Sequence, residues 1–271
     1  MPTVSLNGAE IHYEDTGSGA ETILFAHGLL WSGAMYAPQI AALRDRYRCV
    51  TFDFRGQGRS EVTADGYDMD SLAADAIALV ETLGIAPVHL VGLSMGGFVA
   101  MRVAARRPDL VRSIALLETS AEVESPDKIL SYRVLGLIGR YFGFGLVAGS
   151  AMPIMFGKTF MTDPARKAER ETWRGVLLKN DRVGISRALG GVIGRKSVEA
   201  ELANIEAPAL VIVGEEDVAT VPAKAEAIAR AIRHSTLVRI PRAGHTSTLE
   251  EPAAVTAALE RFFASVSPPQ T

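Results

Sequence analysis

The chain has 271 residues, of which 48% are hydrophobic and 22% charged. That balance excludes intrinsic disorder and fibrous repeats, and it supplies apolar side chains for one large folded core. The formal net charge is −3, so no broad cationic field draws the chain to nucleic acid or anionic lipid, and a small molecule is the expected partner. The single cysteine, Cys49, cannot form an intramolecular disulfide; set in the apolar run Cys49–Phe52, it reads as an inert buried thiol in a reducing, cytoplasmic setting.

The first residues carry neither the basic start nor the apolar core of a secretory signal. Val4–Leu6 and Ile11–Glu14 flank Asn7-Gly8, a pair suited to a type I′ hairpin turn. Short runs that are apolar on both faces follow at Thr22–Phe25, Val50–Phe52, Val88–Val91, Ile114–Leu117, Leu210–Val213 and Thr236–Ile240; such runs belong to buried, mostly parallel strands. Helical spacing lies between them, over Ala34–Leu43, Met69–Leu83, Gly96–Arg106, Ala223–Ile232 and Pro252–Phe263. The expected fold is α/β, with a mostly parallel central sheet opened by an antiparallel hairpin and covered by helices on both faces.

The alternation breaks between Thr119 and Pro208, an interval far longer than a strand-to-strand crossover needs. Residues 1–120 and 198–271 are therefore expected to form the core, with 121–197 a helical cap inserted before the last two strands. Within it, Val134–Gly157 is apolar over about the length of a membrane span, but Arg140, Pro153 and six glycines interrupt it, so no membrane segment is expected. Asp163–Glu171 mixes charges as a solvated helix face does. The tail, 267–271, is expected to fray.

The chemistry centres on Gly92-Leu-Ser94-Met-Gly96-Gly97, a Gly-x-Ser-x-Gly between a predicted strand and a predicted helix. That context turns a weak pattern into a nucleophile elbow, with the serine hydroxyl exposed at a sharp turn and the N–H of Met95 free for a developing oxyanion. A serine needs a base. His12, His89 and His234 fall in a hairpin, a strand and an exposed stretch, and His27-Gly28 is expected to order its own loop. His245, in Arg242-Ala-Gly-His-Thr-Ser after the last strand, is the candidate. The orienting carboxylate is read as Asp217, furthest beyond the strand that ends in Gly214-Glu-Glu-Asp217; Glu215, Glu216 and Glu118 are the alternatives.

These elements, with Phe25-Ala-His27-Gly28 and Phe52-Asp53-Phe-Arg-Gly-Gln-Gly-Arg-Ser60, resemble the α/β-hydrolase family over nearly the whole chain, in the family's order of nucleophile, acid and histidine. The resemblance implies an oxyanion hole from the N–H groups of Leu29 and Met95 and a mobile lid in 121–197; no cofactor or metal is expected, because the chain lacks His-Glu-x-x-His and paired cysteines and a serine mechanism needs none. Within the family the chain is most similar to small carboxylesterases and 3-oxoadipate enol-lactonases, whose Gly-Leu-Ser-Met-Gly-Gly elbow it shares. Ser94 stands where haloalkane dehalogenases and epoxide hydrolases have aspartate, and Leu30 where perhydrolase-type relatives place proline, which disfavours those chemistries.

The expected function is cleavage of apolar carboxylic esters or lactones through an acyl-enzyme on Ser94. Leu135, Leu137, Ile138, Phe142, Phe144, Met152, Ile154, Met155 and Phe156 are candidates for an acyl pocket or for packing of the cap. One alternative is an enol-lactonase or C–C bond hydrolase for a carboxylate-bearing ring-cleavage product, anchored by Arg133, Arg140, Lys158 or Arg187. The other is a hydrolase-fold ligand receptor with little turnover. Two further motifs lead nowhere: Gly157-Lys-Thr lacks the earlier glycine of a phosphate loop, and Arg102, Arg106 and Arg107 complement the dipole of their own helix. The sequence carries no signal for oligomeric state.

Overall fold

A computed structural model describes residues 2–266; the expected fraying of 267–271 lies outside the described residues. Among these, eight strands form one sheet in the order β1-β2-β4-β3-β5-β6-β7-β8. β1 (Thr3–Leu6) and β2 (Ala9–Asp15) are the antiparallel hairpin, turning on Asn7 and Gly8 with φ of 47° and 77°. β2 also pairs antiparallel with β4 (Arg48–Phe52). From β4 onward the sheet is parallel, through β3 (Thr22–Ala26), β5 (Val88–Leu93), β6 (Val111–Leu117), β7 (Ala209–Gly214) and β8 (Ser235–Ile240).

The period of two along a strand sends alternate side chains into two cores. On β3, Leu24 and Ala26 join the core that holds α2 (Met69–Leu83), α3 (Met95–Arg106) and α9 (Pro222–Ala231), while Ile23 and Phe25 face α1 (Ala37–Leu43) and α11 (Pro252–Val266). Both faces of the central strands are thus covered, which is why those segments read as unbroken apolar runs. α2 has the expected bounds: Asp68 caps it through the N–H groups of Asp70 and Ser71, and Gly84 ends it at φ 61°. The helix expected from Ala34 starts instead as a 3-10 turn, Gly33–Tyr36, with Pro38 near the start of α1. Cys49 is buried, and burial pushes its thiol pKa up to about 12.

Between β6 and β7 the chain leaves the sheet for α4 (Pro126–Phe142), α5 (Ala148–Met155), α6 (Lys158–Thr162), α7 (Lys167–Leu178) and α8 (Arg182–Ile193). The apolar stretch from Val134 breaks at Gly143, with φ 97°, and among the described residues no helix is long and apolar enough to cross a membrane. Phe144, Met155, Phe156, Phe160 and Leu177 pack into the same core as α1 and α11, anchoring this segment on the sheet. α4 turns Leu130, Leu137 and Tyr141 to solvent. Arg102, Arg106 and Arg107 are engaged by Asp70, Glu201, Asp109 and Glu81.

Candidate active site

Ser94 sits between β5 and α3 with φ 52° and ψ −111°, a sparsely populated conformation that only a fixed surrounding structure can hold. Three contacts fix it: its N–H donates to the Leu117 carbonyl, its own carbonyl accepts the N–H of Phe98 and the hydroxyl of Thr119. The crossing is so tight that a Cβ on Gly92 would overlap the Gly96 carbonyl, and one on Gly96 would overlap the carbonyl of Ala26 in β3. The glycines of the motif are therefore demanded by backbone approach.

His245, in the loop after β8, places Nε2 2.8 Å from Ser94 Oγ. Its Nδ1 lies 2.9 Å from Asp217 Oδ2. Asp217 also accepts the N–H groups of Ala219 and Thr220 on Oδ1 and the Thr220 hydroxyl on Oδ2. Burial alone would raise the Asp217 pKa, but the His245 ring and the Thr220 bonds outweigh it and hold the carboxyl below its usual value. An ionised Asp217 makes Nδ1 the protonated nitrogen, which leaves Nε2 to accept from Ser94 Oγ–H.

One main-chain donor follows the serine in the chain, and another belongs to Leu29, which lines the same cavity. Met95 opens α3, so its N–H has no partner within the helix and stands at the positive end of the dipole. The Leu29 N–H likewise makes no hydrogen bond among the described residues, whereas the next amide, Leu30, donates to Gln57 Oε1. Leu30 has φ 74°; proline could adopt neither that angle nor that bond. His27 orders its loop, with Nδ1 bonded to the Gly28 carbonyl and Nε2 accepting from the Phe54 N–H. Gln57, within the Phe52–Ser60 motif, makes contacts that the motif does not reveal. It joins the two donor segments, taking the Leu30 N–H and giving its own amide to Met95 Sδ.

Of the alternative acids, Glu215 is exposed, and Glu216 accepts from the Thr159 N–H and hydroxyl. Glu118 is fully buried, with Oε1 on the Gly214 N–H. Burial, reinforced by the charges of Asp217 and Glu250, drives its pKa well above the carboxylate range. None of the three bonds to His245. Among the described residues no group of three or more His, Cys, Asp or Glu side chains is placed to hold a metal ion.

Ser94 and His245 open into a cavity of about 130 Å³. Its walls include Leu135, Phe144, Val147, Ile154, Met155 and Leu189. Of the residues read as pocket candidates, Leu137 and Phe142 instead point outward, at 55% and 72% exposure, and Met152 and Phe156 pack in the core. Ile138 packs against that core too. Among the described residues no lysine or arginine lines the cavity, and the one acid that does, Glu124, is paired with the buried Arg195 at 2.8 Å. Arg187 donates to the Thr63 carbonyl, Arg140 lies over Tyr141, and Arg133 and Lys158 are exposed.

The sequence profile of the α/β hydrolase fold family matches residues 21–252. BpoC of Mycobacterium tuberculosis, whose name ascribes to it a non-heme bromoperoxidase activity, is 32% identical over 258 residues, 94% of this chain and 97% of its own. The enol-lactonase from Burkholderia xenovorans LB400 superposes with a TM-score of 0.90 at 31% identity, covering 97% of this chain and 100% of its own. A thermophilic esterase from Thermogutta terrifontis superposes with a TM-score of 0.91 at 30% identity, covering 98% and 99%. Sheet order, elbow and sequence together place this chain in the α/β hydrolase fold family.

Proposed function

We propose that the protein is a serine-dependent carboxylic ester hydrolase that forms an acyl-enzyme on Ser94, with 121–197 as its cap. The observation that carries this reading is the continuous bonding from Asp217 through His245 to Ser94 Oγ at the mouth of an apolar cavity. Ser94 Oγ attacks the ester carbonyl carbon as its proton passes to His245 Nε2, and Asp217 stabilises the resulting imidazolium. The oxyanion is received by the N–H groups of Leu29 and Met95. Nε2 then returns the proton to the departing alkoxide, and water repeats the sequence on the acyl-enzyme, regenerating Ser94. Desolvation of the cavity strengthens each of these interactions.

Cavity chemistry favours neutral acyl groups over the carboxylate-bearing ring-cleavage products of the alternative reading. A buried carboxylate there would forfeit its hydration with no lysine or arginine on the wall to replace it. The test is a p-nitrophenyl ester series. Each added methylene is expected to contribute about 0.8 kcal/mol of burial, roughly fourfold in kcat/KM, until the cavity is full. Activity should rise from acetate to butyrate, with multiple turnovers at each length. A carboxylated acyl chain should lose tenfold or more against its neutral analogue, unchanged by Arg140→Ala or Arg187→Ala. A carboxylated substrate that wins, and loses its advantage in either variant, would establish the lactonase-like reading. A single stoichiometric release without turnover would favour the receptor.

A further inference from the structure

The loops that carry His245 and Asp217 are both tied to one turn of the cap, and the carboxylate of Glu250 joins that turn to the main chain on both sides of His245. Glu250 lies in α10 (Ser247–Glu250) and is 1% exposed. Its Oε1 accepts the N–H of Thr246 at 3.0 Å, and its Oε2 accepts those of Gly244 at 3.0 Å and Gly157 at 2.8 Å. Gly244 and Thr246 are the two neighbours of His245 in the chain. Gly157 belongs to the turn between α5 and α6.

Other contacts join the same parts. Thr246 Oγ1 donates to the Met155 carbonyl at 2.6 Å, and Glu216, next to Asp217, accepts the Thr159 N–H at 2.7 Å. The Gly157 and Gly244 backbones touch so closely that a Cβ on Gly244 would overlap the Gly157 nitrogen. Two residues before Gly157, Met155 forms part of the cavity wall, as does Ile154. The wall that an acyl chain meets and the base that takes the serine proton are thus fastened to the same carboxylate.

We infer that Glu250 is a positioning residue for the reaction proposed above, on which this inference rests: it holds the main chain on both sides of His245 and yokes that histidine to the Ile154–Met155 wall. Three donors converging on one carboxylate need acceptors on both oxygens, and glutamine supplies only one. In Glu250→Gln an amide N–H must face a main-chain N–H, so the His245 loop has to shift. Displacements of about 1 Å cost on the order of 100-fold in rate.

The experiment measures kcat and KM for p-nitrophenyl butyrate, together with the 15N and 1H NMR signals of the His245 ring, in Glu250→Gln and Ser94→Ala. The expected result for Glu250→Gln is a kcat about 10- to 100-fold lower, a KM within about threefold of wild type, and displaced ring signals. Should Glu250→Gln fail to fold, Thr246→Val removes only the hydroxyl bond to Met155, and a kcat loss of about threefold or more with the same ring displacement is expected. Ring signals and kcat that match wild type in a folded variant, beside an inactive Ser94→Ala, would overturn the positioning role alone. An active Ser94→Ala would overturn the reaction itself and the inference with it.

Discussion

Replacing Ser94 with alanine is expected to lower kcat by about 10⁶, as removal of the nucleophile does in other triads. The substitution deletes one atom and one hydrogen bond, the 2.8 Å contact to His245 Nε2. The bonds that hold residue 94 in place use its main chain and would survive, namely those from its N–H to Leu117 and to its carbonyl from Phe98 and Thr119. The fold and the cavity should therefore persist, with KM little changed. Steady-state turnover of p-nitrophenyl butyrate, with circular dichroism as the folding control, checks it. Residual activity above a few per cent of wild type would mean that Ser94 is not the nucleophile.

Asp217→Asn is expected to cost on the order of 10⁴ in kcat, and the hydrogen bonds around Asp217 dictate why. Oδ1 accepts two main-chain N–H groups, from Ala219 and Thr220. An asparagine must keep its carbonyl oxygen there, because the amide nitrogen cannot accept. Its NH₂ is then turned to the position of Oδ2, 2.9 Å from His245 Nδ1. Facing a donor, Nδ1 becomes the acceptor and the proton moves to Nε2, so the ring can no longer take the proton of Ser94. Glu118→Gln, altering a carboxyl with no bond to His245, should leave kcat within about threefold. The reverse pattern, a silent Asp217→Asn and a crippling Glu118→Gln, would transfer the orienting role to Glu118.

Much of this architecture was legible in the chain because its determinants are local. The turn at Ser94 is marked by glycines within a few positions of it, although Ala26, Leu117 and Thr119 help to hold it, and the buried parallel strands announce themselves as runs apolar on both faces. His245 and Asp217 could be ranked because each follows a recognisable strand end. What was not legible depends on partners distant in sequence. Glu250 and Gln57 act on main-chain groups of Gly157 and Leu30, which no residue pattern marks. The cavity walls were only partly readable, because α4 is apolar around much of its circumference. Leu135 reaches the cavity while Leu137 faces water, and which side turned inward was decided by packing against the rest of the fold.

The pairing of β6 with β7 joins Ile114 to Ala209, across the helices that carry the cavity wall. Closing a loop of about 95 residues costs roughly 4 kcal/mol of chain entropy before any contact repays it. Ser94 and its elbow lie on the side of that loop synthesised first, with Asp217 and His245 on the side synthesised last. Secondary structure on the early side can form while Ser94 still lacks its contact to His245, and the hydrogen bonds from Asp217 through His245 to Ser94 exist only once the late strands have docked. Esterase activity in a refolding or translation time course therefore reports completion of the sheet, and it should lag behind the recovery of helical signal.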